Sequence, residues 1–433
     1  MLAIAHFCRF SINNIICNVP KRFCQCRPKK FHPVPYEYHQ VLELNIEGLD
    51  EFGVGYGHHN EHRISVSLTI PGETVTARIF KNNAGSSEAD LVDVLSPADT
   101  RVTPMCPYYH ECGGCQFQHM TIESQRQWKR EQVVRLVEDI SDDIPDVQEI
   151  VGTEHHFGYR SKITPHYKNP LKSTNIGFQS RFSSAVVDIP KCAIATAAIN
   201  DIYDAHRRFV KGRFGATTSK MGATLLFRDV CSDHGGGLVE TDNRAIVTQR
   251  VRGLRFQYQA GEFFQTNPYV LPLLVEHVID RVSEYGCSYL IDAYCGCGLF
   301  SLSASSRFKS VVGIEINQQA TRLAQKNAAL NGIDNASFID GNVERIFQDV
   351  VGMNSDQAVV VIDPPRRGCT EDFLSQLFAY RPRVIVYVAC NPTTQARDAK
   401  QIVEAGYRID DITPFDMFPQ TRHIENVITF SRL

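Results

Sequence analysis

Leu290-Ile291-Asp292-Ala293-Tyr294-Cys295-Gly296-Cys297-Gly298 is the stretch that decides the fold. A short strand over 289–293 runs into a turn with two glycines, and a helical stretch over 300–306 follows. Strand, glycine turn and helix together bring backbone N–H groups and a helix start close to a nucleotide-like ligand. The alternation continues with strands at 311–316, 337–340, 358–363 and 384–389. Helices are expected over 269–282 and 318–331, after 340, and over 371–378 and 393–405, with further strands at the C-terminus. Strands and helices alternating at these lengths predict a doubly wound parallel sheet.

Working outward, the reactive residues fall at strand ends, where open α/β sheets carry their chemistry. Val384-Ile385-Val386-Tyr387-Val388-Ala389-Cys390-Asn391-Pro392 reads as a buried parallel strand with Cys390 at its carboxyl end. A strand cysteine is ordinarily an inert core thiol, so Cys390 carries weight only in company. Glu315 ends the next strand after the glycine turn, about 20 residues on, where a carboxylate meets ribose hydroxyls. NAD binding uses the same layout, but this turn lacks the G-x-G-x-x-G form. Asp363-Pro364-Pro365-Arg366-Arg367-Gly368 follows another strand, as in methyltransferases that act on bases. Arg422-His423-Ile424-Glu425-Asn426 adds a carboxylate. A nucleophile, a cofactor turn and a base in this set point to covalent methyl transfer to a nucleic-acid base.

Uracil C5 shows why the parts belong together. The ring carbon is too weak a nucleophile unaided, so a thiolate must add at C6 and create an enolate. The enolate oxygen needs a donor, and a base must then remove the C5 proton so that elimination frees the cysteine. Cys390 and Glu425 fit the first and last roles. Cytosine-C5 transfer uses the same thiolate, usually from Pro-Cys or Thr-Cys contexts rather than Ala-Cys-Asn-Pro. A scaffold that only binds RNA has no need of Cys390, Glu425 and Asp363 together.

The chain has 433 residues, 43% hydrophobic and 21% charged, ordinary for a folded protein of two to four domains. No apolar run approaches the roughly 18 residues of a membrane span. Net charge is -3, so any nucleic-acid surface has to be a local patch. Between His155 and Val187 stand Arg160, Lys162, Lys168, Lys172 and Arg181 with no carboxylate, and 206–213 adds Arg207, Arg208, Lys211 and Arg213. Either stretch alone reads equally well as a solvated face; the two together favour phosphate contacts. The 14 cysteines follow no secretory signal, so a reducing compartment is expected, with thiols as ligands, catalysts or core residues. Residues 1–36 carry Arg9, Lys21, Arg22, Arg27, Lys29 and Lys30 and no acid. That composition fits a mitochondrial transit peptide, a disordered basic arm or a start codon assigned too far upstream. The expected location is the cytoplasm, or the mitochondrion if the arm is a targeting segment.

Ahead of the sheet, 41–47, 63–70, 73–80 and 89–95 alternate apolar and polar residues, with Gly53, Gly55, Gly57 and Pro71-Gly72 between them. Several short strands in about 60 residues predict a small barrel of the OB type. Cys106, Cys112 and Cys115 then show C-x5-C-x2-C spacing around Gly113-Gly114. Three such thiols preorganise a soft-metal site, and a fourth completes tetrahedral zinc or an iron–sulfur cubane. Cys192 in Asp188-Ile189-Pro190-Lys191-Cys192 is the candidate fourth ligand. A helix is expected over 124–136, and 159–256 reads as mixed short strands with a hairpin tip at Gly235-Gly236-Gly237.

From about Glu37 onward the chain resembles the TrmA/RumA-type family of RNA uracil-C5 methyltransferases. The likeness rests on the Cys390 and Glu425 segments and on Asp363-Pro364-Pro365. It rests also on Phe264-Gln265-Thr266-Asn267, matching the family's F-Q-x-N, and on Asp188 to Cys192, matching D-I-x-x-C. The resemblance implies a multidomain α/β protein. Its parts are a basic arm (1–36), a TRAM domain built as an OB-like β-barrel (37–97), a central α+β domain (98–256) and a Rossmann-like class I methyltransferase domain (257–433). It implies a 4Fe-4S cluster on Cys106, Cys112, Cys115 and Cys192, with S-adenosyl-L-methionine held by Gln265, Tyr294, Glu315 and Asp363 and further contacted by Asn342. Cys390 becomes the nucleophile and Glu425 the base. The implied partner is structured RNA, a tRNA T-loop uridine first and an rRNA loop second. No membrane and no obligate protein partner are implied, and a monomer is expected. Leu299 stands where some members have Asn, which leaves the tRNA and rRNA branches open.

Overall fold

The computed structural model describes residues 31–217, 219–231, 237–341, 350 and 352–433. The basic arm up to residue 30, Gly235 and Gly236 of the expected hairpin tip, Asn342 and the helix expected after 340 lie outside the described residues.

Alternating side chains build the N-terminal sheet, with Leu42, Leu44, Ile64, Val66, Val75, Ala77 and Ile79 turned into one core. Its six strands run in the order Val41–Asn45, Thr74–Asn83, Ser86–Ser96, His62–Val66, Gly55–His59 and Gly48–Leu49. The sheet curls until its first edge meets the fifth strand, where Glu47 N donates to Tyr56 O at 2.8 Å. A Cβ on Gly57 would stand 2.0 Å from Asn45 O, so only glycine permits that crossing. The strand expected over 63–70 stops at Val66. Leu68 takes a left-handed φ of 70°, and Thr69 Oγ1 donates to Val66 O at 2.8 Å, closing a turn instead.

The middle of the chain is held by two capped helices. Thr121 caps α1 (Ile122–Val137) and Thr196 caps α2 (Ala197–Gly212), each hydroxyl accepting a first-turn N–H. A three-stranded sheet of short segments packs beside α2, and Phe178 of a four-stranded one joins the same small core. The two basic stretches are partly tied into the fold. Arg207 and Lys211 both pair with Asp188. Lys162 donates to Gly261 O, Lys168 to Ser184 O, and Arg181 to Tyr109 O and Cys115 O. Most of these cations serve the fold itself, because carboxylates and carbonyls from elsewhere in the chain already occupy them. Arg208 and Arg213 remain exposed.

The C-terminal half is a seven-stranded sheet: β1 (Tyr289–Ala293), β2 (Ser310–Glu315), β3 (Ala336–Asp340), β4 (Ala358–Ile362), β5 (Val384–Ala389), β6 (Tyr407–Phe415) and β7 (Glu425–Arg432). Their spatial order is β3-β2-β1-β4-β5-β7-β6. The first five are parallel, while β7 lies antiparallel to both β5 and β6. The sheet is therefore mixed rather than wholly parallel: the link 416–424 turns the chain back and inserts β7 between β5 and β6. One face is covered by α3 (Leu271–Ser283), α4 (Leu299–Ala304) and α5 (Gln318–Leu330), through Leu274, Val278, Leu302 and Leu323. The other is covered by α6 (Glu371–Tyr380) and α7 (Pro392–Glu404), through Phe373, Leu377 and Ile402. α1 joins that second face: Val133 and Val137 pack in the same cluster as Ile412 and Phe430. Burial on both faces is why β4 and β5 are apolar throughout. No helix among the described residues is long and apolar enough to cross a membrane.

Candidate active site

The parallel strands deliver their last residues to one edge of the sheet. β1 leads into Tyr294, β2 ends on Glu315, β4 leads into Asp363 and β5 into Cys390. Ala389 pairs with Asn426 in the antiparallel β5–β7 register, so the next step brings Cys390 opposite Glu425. A cavity of about 1270 Å³ opens at this edge. Cys390, Glu425, Asp363, Glu315, Tyr294 and Gln265 all line it, and so do Cys106, Cys112, Cys115 and Cys192. Ten residues spread over some three hundred positions thus meet on one void.

The turn after β1 is tightly wound. Gly296 and Gly298 take positive φ, and so does Tyr294, at 66°. For an aromatic residue that conformation stores strain on the order of 1–3 kcal/mol. Glu315 Oε2 accepts from Gly296 N at 3.0 Å and Oε1 from Asn317 N at 2.7 Å, which ties the turn to the end of β2. Behind it Asp292 Oδ2 accepts from Ser301 N at 2.8 Å and from the Ser301 hydroxyl. Asp292 Oδ1 is buried with no hydrogen-bond partner among the described residues. Burial pushes the Asp292 carboxyl up to about 7. Gln265 is fixed by its neighbours: Thr266 O accepts from Ser161 N at 2.8 Å, and Asn267 Nδ2 donates to Met417 O at 3.0 Å.

Charge near Cys390 is unusual. Burial raises Asp363 to about 7, with Asp292 adding to the effect, and raises Glu425 well above the carboxylate range, with Asp363 adding. Burial, then Glu425 and Asp363, push the Cys390 thiol up to about 12 against the opposing pull of Arg366. His423, on the same wall, is lowered to about 4 by burial and by Arg366, so its ring is neutral at pH 7. Burial therefore favours the thiol form of Cys390 and the acid form of Glu425, while Asp363 lies near half ionisation at neutral pH.

The second group of residues lines the same cavity. Burial raises Cys112 to about 11, and the nearness of Cys192 and Cys106 contributes. Gly114 N donates to Cys112 Sγ at 3.4 Å, Cys106 N to Gln118 Oε1 at 3.0 Å, and Cys192 N to Asn200 Oδ1 at 2.9 Å. All four are free thiols. Among the described residues no three His, Cys, Asp or Glu side chains close on a single-ion site. Cys295 and Cys297 are core residues. The segment after Cys115 is bonded directly to the one before Glu425: Gln116 N and Phe117 N donate to Gln420 O at 2.9 and 3.1 Å, and Arg422 N donates to Gln116 Oε1 at 3.3 Å.

Two supports were not evident from the sequence. Buried Arg228 donates to the carbonyls of Ala260, Glu262 and Phe264, fixing the loop that carries Gln265. Asp398 on α7 accepts from Cys369 N and the Tyr387 hydroxyl, both at 2.8 Å, and holds the loop that carries Asp363 and Arg366. Neither lies near a motif, so no local signal marks them; only the burial of a charged residue gives them away.

The crystal structure of Pyrococcus abyssi tRNA (uracil-54, C5)-methyltransferase in complex with S-adenosyl-L-homocysteine shares this fold. It covers 90% of this chain and 100% of that one, with a TM-score of 0.70 at 23% identity. Sheet order, the β1 turn and the cavity at the strand ends together define a class I methyltransferase. A sequence profile described as tRNA (Uracil-5-)-methyltransferase matches residues 239–433. The tRNA (uracil(54)-C(5))-methyltransferase of Schizosaccharomyces pombe is 37% identical over 92% of this chain and 80% of its own length. The Saccharomyces cerevisiae protein of the same name is 30% identical, over 93% and 75%. The chain belongs to the tRNA (uracil-5-)-methyltransferase family.

Proposed function

We propose that this protein methylates C5 of a uridine in tRNA, with S-adenosyl-L-methionine as donor, Cys390 as nucleophile and Glu425 as base. The observation that carries the reading is the β5–β7 register, which sets Cys390 against Glu425 at the strand ends beside Asp363 and the glycine turn. The cavity suits the donor. Glu315 stands at the end of β2 for ribose hydroxyls, the turn through Tyr294 bares its backbone, and Gln265 and Asp363 face the same space. Bound there, S-adenosyl-L-methionine supplies an electrophilic methyl group on a sulfonium cation. Positive charge in the cavity favours the ionised forms of Asp363 and Glu425, so Glu425 becomes a base when the site is filled.

The chain's own residues then act in order. Cys390 Sγ adds to C6 as a thiolate, and the C5–C6 electron pair moves onto the C4 carbonyl as an enolate. The enolate pair returns through C5, which takes the methyl group as the sulfur–methyl bond breaks and leaves its electron pair on the donor's sulfur. Glu425 removes the C5 proton, the C5–C6 double bond re-forms, and the C6–S bond breaks to release the thiolate.

Cys106, Cys112, Cys115 and Cys192, which line the same cavity, would hold a 4Fe-4S cluster. Four soft thiolates are the donor set such a cluster takes, and the nearness of Cys106 and Cys192 that helps raise the Cys112 thiol marks them as neighbours. Four protein ligands close such a cluster and give it a structural role. Residues 37–97, the curled sheet, serve as an OB-like TRAM domain for RNA. Residues 98–256 carry the cluster and 257–433 the chemistry. Free thiols at these four positions fit a reducing compartment, the cytoplasm.

Transfer RNA transcribed with tritium at uracil C5 tests the proposal. Wild-type protein should release near one equivalent of tritium per tRNA, and Cys390→Ala none. Glu425→Gln should stall after methyl transfer, leaving a protein–RNA adduct on denaturing gels and turnover lower by about 100- to 10,000-fold. Wild-type protein that releases no tritium from tRNA would overturn the reading.

A further inference from the structure

Phe52 sits on the loop between the Gly48–Leu49 and Gly55–His59 strands, with 51% of its surface exposed. A lone exposed aromatic is unremarkable, but this one is built to stay out. Asp50 Oδ1 accepts from Phe52 N at 2.9 Å and from Val54 N at 2.8 Å, while Gly53 N donates back to Asp50 O at 2.9 Å. Gly53 adopts a φ of 73°, and a Cβ there would stand 2.3 Å from the Phe117 ring. Phe117 is fully buried and packs edge-on against Trp128, with ring centroids 4.8 Å apart. The loop is thus seated on the wall that bonds Gln420, and its tip displays a ring.

Above that ring lies the Arg422 guanidinium, 4.8 Å from the centroid. Arg422 also lines the cavity that holds Cys390 and Glu425. The N-terminal sheet therefore reaches the rim of the catalytic cavity through one aromatic–cation stack. A second such stack, Arg63 over Tyr56 at 3.9 Å, belongs to the adjoining strands, and the charge of Arg63 acts on Asp50. Planar rings paired with guanidinium groups are the platform on which single-stranded bases stack. A uridine that enters the cavity must leave its own stack, and its neighbours then lie at the rim.

We infer that Phe52, with Arg422, stacks on the base next to the target uridine, so that the N-terminal sheet positions the RNA at the active site as well as adding affinity. This rests on the proposed uridine methylation. Phe52 is a binding residue for the RNA in this reading and takes no part in bond making.

Phe52→Ala and Phe52→Trp in the full chain test it, with tRNA carrying 2-aminopurine in place of each nucleotide flanking the target, one at a time. Wild-type protein should quench one of the two probes, Phe52→Trp should retain the quenching, and Phe52→Ala should lose it. Affinity for tRNA in Phe52→Ala should fall by about 5- to 150-fold, the equivalent of ~1–3 kcal/mol for one stacked base, with the kinetic effect in KM. Unchanged quenching and affinity in Phe52→Ala would overturn the inference. So would a fall in kcat at constant KM, which would mean that the ring only seats Arg422. Quenching by a wild-type protein that releases no tritium would support the stack while sinking the methylation reading, so the two failures are distinct.

Discussion

For the nucleophile proposed above, Cys390 is held in the wrong protonation state until RNA and donor bind. Burial, Glu425 and Asp363 place it at about 12, so the thiolate is a small minority at pH 7 and grows with pH. The base follows the same sign, since Glu425 is also raised and gains its competent form as protons leave. Single-turnover adduct formation should therefore rise with pH between 6 and 9, by about tenfold per unit while one deprotonation limits it. Rapid quenching followed by denaturing gels would measure this, and a flat profile would show that RNA and donor binding ionise the thiol outright. The residues themselves were legible in the sequence because each ends a strand or starts one. Their protonation was not, since it depends on three buried carboxyls from β1, β4 and β7 meeting in space.

At the level of elements, the loop 363–369 and helix α7 act as one piece. Asp398 takes bonds from Cys369 N, the Tyr387 hydroxyl and Arg397, while Asn391 and Thr394 side chains donate to Arg366 O at 2.9 and 3.2 Å. Gly368, at φ 79°, leaves no room for a Cβ, which would lie 2.6 Å from Asp398 Oδ2. Asp398→Asn should cost about 1–3 kcal/mol of stability by unbalancing this buried network. It should also lower kcat with little change in KM for tRNA, because Asp363 and Arg366 lose their anchor. Thermal unfolding read beside steady-state kinetics checks both, and an unaltered kcat would make Asp398 merely structural. Strand and helix positions were readable from periodicity to within a few residues. The antiparallel β7 was not, because insertion between β5 and β6 is decided by pairing across the sheet. The basic stretches were partly legible for a related reason: sequence displays the charge of Arg207 and Lys211 but not Asp188 folded against them.

Across the whole molecule, α1 fastens the middle of the chain to its end. Lys129 Nζ, fully buried, donates to Asp416 Oδ1 at 2.6 Å and to Phe418 O at 3.0 Å, and Arg126 also reaches Asp416. The same helix exchanges bonds between Gln125 and Gln420, just ahead of Glu425. Lys129→Met should destabilise the protein by roughly 3–5 kcal/mol, since Asp416 would stay buried with Arg126 alone. The double variant Lys129→Met/Asp416→Leu should recover part of that loss, and denaturant unfolding of the two proteins checks the order. A single variant as stable as wild type would show that Arg126 suffices. Nothing in the local sequence joins α1 to the segment 416–420; only the helix was visible, over 124–136.

The Lys129–Asp416 pair also has a consequence for synthesis. Its partners are 287 residues apart in the chain. At roughly 5–20 residues per second on a ribosome, the lysine and the apolar face of α1 wait about 15–60 s for the strands they pack on. The nascent protein must spend that interval with an ammonium group and Val133 and Val137 uncovered, which makes it a client for chaperones. A ribosome that stops before residue 416 leaves a chain whose first half cannot close, so truncated products should be cleared by proteases rather than persist as partly active fragments.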